Sequence, residues 1–321
     1  MNRLHLHSCL AESIQRFIDL RRLSGTDYHS QAKLLEYFDR FIAEYPLTEP
    51  RITRQITDAY RQSLAGLAPA TRANRCSVVR QLGEYLAASD PLGYVPEPLR
   101  FTASPHQPYI YTGAEVRALL AAAAELAPPG SLRPHTCRTL LGLLYSTGLR
   151  VGEACALNLE DFHRAEQRLY VAAGKFHKAR WVPLAPSTCQ ALQRYLEPRC
   201  RLAPNAPDAP LLLNLRGRRL RHASVHRDFQ QLLRRCAMSA KRPRPRIHDL
   251  RHTFAVDRLL AWYRDGQDIN ARLPALATYL GHVSIRSTQV YLRPTAELLG
   301  QVNERFHDHF LEKVKPQGGP T

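Results

Sequence analysis

The sequence predicts a mainly α-helical protein with a small β-sheet, split into a helical domain over residues 1–88 and a larger mixed domain over residues 112–312. Three observations lead there. Apolar residues recur at helical spacing through most of the chain. A proline-rich stretch, residues 89–111, interrupts that pattern and reads as a linker. Only a few short runs, two of them flanking a basic turn, carry strand character. At 321 residues with 44% hydrophobic content, the chain can bury a core in each of two domains.

Taken in order, Ile14, Phe17 and Ile18 form the first apolar stripe. Leu34, Leu35, Phe38, Phe41 and Ile42 form a second, stopped at Pro46. Ile56, Tyr60 and Leu64 mark a shorter third helix. A fourth begins near Pro69, with Val78, Val79, Leu82 and Leu86 on its apolar side. It also carries Arg72, Asn74, Arg75 and Arg80, candidate DNA-binding residues that do not share one face, although the first three cluster in its opening turn; they are equally well explained as solvated charge. After the linker, Thr112-Gly113-Ala114-Glu115 reads as a capping box opening the second domain. Residues 168–173 and 180–184 are expected strands, and Leu211 to Asn214 a third. Residues 313–321 read as a tail.

Charge narrows the partners. With 45 Lys and Arg against 28 Asp and Glu, the formal net charge of +17 favours a polyanion, most commonly nucleic acid. No uncharged apolar run is long enough to span a bilayer, and no basic amphipathic anchor stands out, so a membrane partner is not expected. The first residues, with Glu12 and Asp19, lack the apolar core of a signal peptide. Seven scattered cysteines without a Cys-x-x-Cys pair fit a reducing cytoplasm, each as a small core hydrophobe.

The chemistry lies in an ordered set. Arg150 sits in Thr147-Gly148-Leu149-Arg150-Val151-Gly152-Glu153, at an apparent break between helices. Lys175 follows in a short basic hairpin that also holds Lys178. Next comes His248-Asp249-Leu250-Arg251-His252, then Leu280-Gly281-His282, and Tyr291 nine positions later. Taken singly, each has a duller explanation: a structural tyrosine, a satisfied histidine, a solvated arginine. Together they suit one phosphate. Arginine forks meet phosphate oxygens two at a time. On a helix, His248 and Arg251 project from one side. A phenol, which ionises near pH 10 when free, becomes a nucleophile in a cationic pocket. Phosphodiester cleavage by such a set needs neither metal nor ATP, and no Walker-type loop or acidic metal-binding motif is seen; no cofactor is expected.

That order and spacing resemble the tyrosine recombinase (phage integrase) family, over roughly residues 110–310. The resemblance implies a helical, SAM-like core-binding domain and a mixed α/β catalytic domain that clamp duplex DNA as a C shape. It implies that Arg150 and Arg251 bind the scissile phosphate. Lys175, or Lys178 in the same turn, would protonate the leaving oxygen. His248 and His282 would assist proton transfer, and Tyr291 would form a 3′-phosphotyrosine. Glu153 would brace the first arginine; His252 is left open between core, brace and phosphate ligand. Phe176 departs from the usual Gly-Lys-Gly turn. The stretch from Arg251 to His282 is longer than in compact cellular members, which leans toward a mobile-element recombinase. No extra N-terminal domain for distant arm sites is expected.

The partners implied are double-stranded DNA with inverted-repeat core sites and further copies of the chain, a tetramer on synapsed DNA, with sister recombinases a possibility. The apolar stripe Leu298, Leu299, Val302, Phe306 and Phe310 would pack on a neighbouring subunit or on its own domain. The expected location is the cytoplasm, at the nucleoid. Two rivals stand beside this reading. One is a type IB topoisomerase, which relaxes supercoils without paired sites. The other is a non-catalytic, integrase-derived regulator that binds DNA.

Overall fold

The computed structural model describes residues 4–26, 28–45, 51–90, 92–99, 108–172 and 179–281. The chain divides into two compact units, residues 1–106 and 107–321. In the first, the four apolar stripes become four helices: α1 (Ala11–Leu23), α2 (His29–Ala43), α3 (Arg54–Ser63) and α4 (Pro69–Ala87). Their shared core contains Ile14, Phe17, Ile18, Leu35, Phe38, Ile42, Ile56, Tyr60, Val78, Val79 and Leu82. Each such side chain contributes about 1.5–3 kcal/mol when fully buried. Asp39, fully buried on α2, accepts hydrogen bonds from the His7 and Ser8 backbone N–H groups and the Ser8 hydroxyl, tying down the segment before α1.

Part of the proline-rich stretch packs on this first unit. Tyr94 and Leu99 lie against its core, and the Pro96 carbonyl accepts from Arg80 at 2.6 Å. Gly83 on α4 makes room for it: a Cβ there would lie 2.7 Å from the Pro96 ring. Tyr109 and Tyr111, at the far end of the stretch, belong to the second unit. The Tyr111 backbone N–H donates to the Thr253 hydroxyl (3.0 Å), and the Tyr111 hydroxyl donates to the Arg246 carbonyl (2.9 Å).

The second unit opens with the expected capping box: the Thr112 hydroxyl accepts from the Glu115 N–H, and the Glu115 carboxylate from the Thr112 N–H. Helix α5 (Gly113–Ala124) follows, then α6 (Leu132–Thr147). Leu140, Leu141, Leu143 and Leu144 of α6 are all buried, and α6 packs against α5 and two later helices, α8 (Pro186–Cys200) and α10 (Asp249–Arg264). Between lie α7 (Val151–Ala156) and an antiparallel sheet of β1 (Phe162–His163), β2 (Arg168–Val171) and β3 (Arg180–Pro183) in that order. Leu169 opposes Val182, both inward and buried, while Arg168 lies over the Trp181 ring on the outer face.

The third strand is thus Phe162–His163 and not Leu211 to Asn214. The latter segment is buried, as its apolar run suggests, but its polar groups go elsewhere. The Pro210 and Leu211 carbonyls accept from the fully buried Arg199, and the Leu213 N–H donates to the Tyr195 hydroxyl. Side chains and isolated backbone pairings, such as the Leu211 N–H to the Leu157 carbonyl and the Leu220 N–H to the Leu212 carbonyl, satisfy it without a continuous strand ladder.

The remaining helices are α9 (His222–Arg235) and α11 (Ile269–Leu280). Asp268 caps α11 by accepting from the Asn270 and Ala271 N–H groups. The long stretch after Arg251 is taken up by the rest of α10, a turn at Gly266, and α11, with Trp262 packed on the α10–α11 core. Among the cysteines, Cys76, Cys137, Cys155 and Cys189 are buried, whereas Cys9 and Cys200 are exposed; all seven are free thiols. Among the described residues no helix is long and apolar enough to cross a membrane.

Candidate active site

Helix α6 ends where the Thr147-Gly148-Leu149-Arg150 motif begins. The Thr147 hydroxyl donates to the Leu143 carbonyl and accepts from the Leu149 N–H, closing the last turn. Gly148 then adopts φ +63°, and a Cβ at that position would lie 2.6 Å from the Phe254 ring of α10. Only glycine combines that left-handed backbone with so close an approach. The turn delivers Arg150 to the N-cap of α7. There the Glu153 carboxylate accepts both the Arg150 backbone N–H (2.9 Å) and its guanidinium (2.8 Å).

Helix α10 brings the second arginine to the same place. Asp249, fully buried, accepts from the Arg246 backbone and side chain and so fixes the first turn. Arg251, only 2% exposed, donates to the Gly148 carbonyl (2.7 Å) and to the Leu280 carbonyl at the end of α11 (2.6 Å). Arg150 donates to the next carbonyl, that of Gly281.

A third arginine, which the sequence reading did not single out, completes the arrangement. Arg180, the first residue of β3, donates its Nε–H to the Tyr279 carbonyl (2.7 Å). Its two terminal nitrogens meet the two oxygens of Glu153 at 3.1 and 2.9 Å. Three consecutive carbonyls, at 279, 280 and 281, therefore each take an arginine from a different element. The end of a helix leaves such carbonyls unsatisfied and slightly negative, and a cation there contributes about 0.3–1 kcal/mol. Gly281 is the αL residue that ends α11, and a Cβ on it would lie 2.9 Å from the Arg180 guanidinium. Leu280 and Gly281, the described part of the Leu-Gly-His motif, thus lie at the corner on which the cationic groups converge. The only sequence trace of Arg180 is its place directly after the basic hairpin, where strand character masked it.

Electrostatics sharpen the site. Burial acts to raise the Glu153 pKa, but hydrogen bonds from Arg180 and Arg150 outweigh it and hold the carboxyl at about 2. His248 keeps an exposed edge at the N-cap of α10; crowding on its other side, then the Arg251 charge, lowers its pKa. His252 is half-buried against it, the rings 5.3 Å apart and nearly perpendicular. Desolvation and its neighbour His248 push it down to about 4. Both imidazoles are neutral at neutral pH, able to donate one N–H and accept at the other nitrogen.

Beside Arg150 and His248 opens a cleft of about 290 Å³, walled by His222, His226 and Gln230 of α9 and by Arg246. The α9 histidines were not anticipated; no spacing in the sequence links them to the motif. Lys175, Lys178, His282 and Tyr291 lie outside the described residues. In the first unit, Arg72, Asn74 and Arg75 occupy the opening turns of α4, with the Arg75 guanidinium 4.5 Å from the Tyr37 ring. Arg80, further along, is tied to the Pro96 carbonyl and to Glu84. Among the described residues no group of three or more His, Cys, Asp or Glu side chains is placed to hold a metal ion.

Comparison with known proteins points the same way. The sequence model of the phage integrase family matches residues 110–297. The putative integrase/recombinase y4rB of Sinorhizobium fredii (strain NBRC 101917 / NGR234) is 35% identical over 315 residues, 96% of this chain and all of that protein. Tyrosine recombinase XerC of Myxococcus xanthus is 32% identical over 249 residues, 75% of this chain and 77% of that one. The Tn1549 transposon integrase, solved with a circular intermediate DNA, matches 91% of this chain and 99% of its own in fold, with a TM-score of 0.65 at 18% identity.

Proposed function

The chain belongs to the phage integrase family, and on that premise we propose that it is a site-specific DNA recombinase that cuts and rejoins duplex DNA through a 3′-phosphotyrosine. One observation carries the reading. The forks of Arg150 and Arg251 are anchored on adjacent carbonyls of the corner that leads directly into His282. Two guanidinium groups fixed so close together suit one phosphate, and removing a single such donor typically costs about 3–4 kcal/mol of transition-state stabilisation.

In the cleavage step the Tyr291 phenol passes its proton to a neutral histidine, His248 or His282, as its oxygen attacks phosphorus, and the bond from phosphorus to the 5′ oxygen breaks. Lys175, or Lys178 beside it, gives the proton that the leaving 5′ oxygen needs. His248, neutral and poised beside Arg251, donates a hydrogen bond to a phosphate oxygen; His282 and Arg150 complete the pocket. His252 packs behind His248 and holds its ring. A 5′ hydroxyl from the partner strand then attacks the phosphotyrosine, the phosphodiester re-forms, and the phenol is released. The bond energy is conserved, so no nucleotide hydrolysis enters. DNA with inverted-repeat core sites is the substrate, and two pairs of protomers act on two synapsed sites. The catalytic unit spans residues 112–312, following the core-binding unit in the chain, and the protein works at the nucleoid.

Covalent trapping in the source cell tests this. Rapid denaturation followed by sequencing of protein-linked DNA should yield adducts from the wild type, at a few inverted-repeat sites, and none from Tyr291→Phe. Adducts scattered over the chromosome would instead indicate a supercoil-relaxing enzyme. Tight DNA binding without any adduct would indicate a regulator.

A further inference from the structure

The Glu153 carboxylate is shared unequally. Its Oε1 accepts from the Arg150 and Arg180 guanidinium groups, and its Oε2 from the Arg150 backbone N–H and from Arg180. Four donors fill the acceptor sites of a carboxylate. Arg180 and Glu153 are both sequestered, their side chains 10% and 7% exposed, whereas Arg150 is 28% exposed. The buried charges therefore cancel as a pair, +1 against −1, and the half-open Arg150 keeps its positive charge for an incoming anion. Without Arg180, one buried carboxylate would face one arginine, and Arg150 would be neutralised by its own neighbour. A partly desolvated ion pair of that kind holds tightly, because unpaired burial of either charge is costly.

We propose that Arg180 is a positioning residue for strand cleavage: it neutralises Glu153 so that Arg150 stays available to the phosphate, and it clamps the Tyr279 carbonyl at the corner leading into His282. The inference rests on the reading of Arg150 as a phosphate ligand. The same guanidinium performs both tasks, because Gly281 leaves it room to lie against the end of α11. Lysine cannot replace it fully, since a single ammonium cannot span two carboxylate oxygens and a carbonyl in one plane.

The test uses the full chain and a nicked duplex copied from the adducts trapped with wild-type protein. Arg180→Met is expected to lower single-turnover cleavage by about 100-fold, the scale of a small misplacement of a reacting group. DNA affinity should stay within about threefold, because it is spread over many phosphate contacts. Adding Glu153→Gln should restore at least about tenfold of the lost rate, since it removes the charge that Arg180 offset while leaving an oxygen to accept from Arg150. A merely structural arginine would show no such recovery. Cleavage within threefold of wild type in Arg180→Met overturns the proposal, as does a double variant no better than the single one. An equal loss of DNA binding and cleavage overturns it too. Should the Met variant fail to fold, Arg180→Lys decides: the retained charge should keep cleavage within about tenfold of wild type, and a loss as deep as that of Arg150→Ala counts against it. No Tyr291-dependent adduct from wild-type protein would overturn the recombinase reading and this proposal together; adducts with an unaffected Arg180→Met overturn this proposal alone.

Discussion

Two sets of arginines in this molecule look alike in composition and behave differently in structure. At the end of α11, Arg150, Arg180 and Arg251 are wholly or partly buried, and each donates to a different backbone carbonyl. Along α4, Arg72 and Arg75 are half-buried at the surface; Arg75 lies over an exposed tyrosine ring, and Arg80 pairs with a glutamate one turn on. The first set is built into the fold, so losing a member should damage folding and chemistry together. Arg72 and Arg75 are laid upon the fold, so losing either should cost mainly affinity; Arg80, on the same helix, is the exception, held by the Pro96 carbonyl and Glu84. Net charge cannot tell these sets apart; the partner of each guanidinium can.

The largest effect is expected at Arg251. Arg251→Ala removes the charge proposed to bind the phosphate and leaves the Gly148 and Leu280 carbonyls without their donor. Cleavage should fall about 1000-fold, and stability by about 2–4 kcal/mol for two buried acceptors left unmade. Single-turnover cleavage and urea unfolding measure the two losses. A variant that loses cleavage at full stability would break the claim that this corner serves both ends.

Gly148→Ala should follow. Its φ of +63° and the 2.6 Å approach to Phe254 leave no room for a methyl group, and the obstacle is a packed ring. About 2–4 kcal/mol of stability should be lost from strain and overpacking combined. Gly281→Ala meets only the end of the Arg180 side chain, so its fold should suffer less while its cleavage suffers as Arg180 is pushed aside.

These positions also show how far a sequence can be read. The four N-terminal helices and the Thr112 capping box were legible because apolar spacing and capping chemistry are local. That Arg150 and Arg251 belong together was legible from their neighbours in the chain, Gly148 before one and His248 before the other, and the structure brings both to one corner. Arg180 was not, since its partners lie 27 and 99 residues away and nothing near it in the chain announces them. The Leu211 segment misled for a related reason: burial was read correctly, but whether strands or side chains satisfy its backbone is a tertiary matter. His222 and His226 reach the cleft beside Arg150 only through the placement of α9.

Acid should weaken the second unit in a defined window. His248 and His252 titrate below their ordinary value of 6.5 when folded, so the unfolded chain takes up protons first. Their contribution is whole above pH 6.5 and is lost as pH falls, for His252 down to about 4. Glu153, held at about 2 against an ordinary 4.5, adds a further loss below pH 4.5. Melting temperatures recorded from pH 7.5 to 4 should therefore decline, and His252→Gln should flatten the upper part by on the order of 1 kcal/mol, allowing for solvent screening. A decline unchanged by that substitution would place the acid sensitivity elsewhere.

The smallest effects belong to α4, and there the contrast is most exposed to failure. Arg72→Ala and Arg75→Ala should each reduce the slope of log affinity against log salt by about one and leave unfolding nearly untouched, because a phosphate contact releases about one counterion. Loss of the Arg75 contact with Tyr37 costs no more than about 0.5–1 kcal/mol. Arg80→Ala is the internal control on the same helix. Its guanidinium is committed to the Pro96 carbonyl and to Glu84, so the salt slope should not change, while residues 92–99 should become easier to cleave with protease. If Arg80→Ala lowered the salt slope as Arg75→Ala does, the guanidinium must leave Pro96 when DNA arrives. The distinction between built-in and surface-laid arginines would then hold for the α11 corner alone.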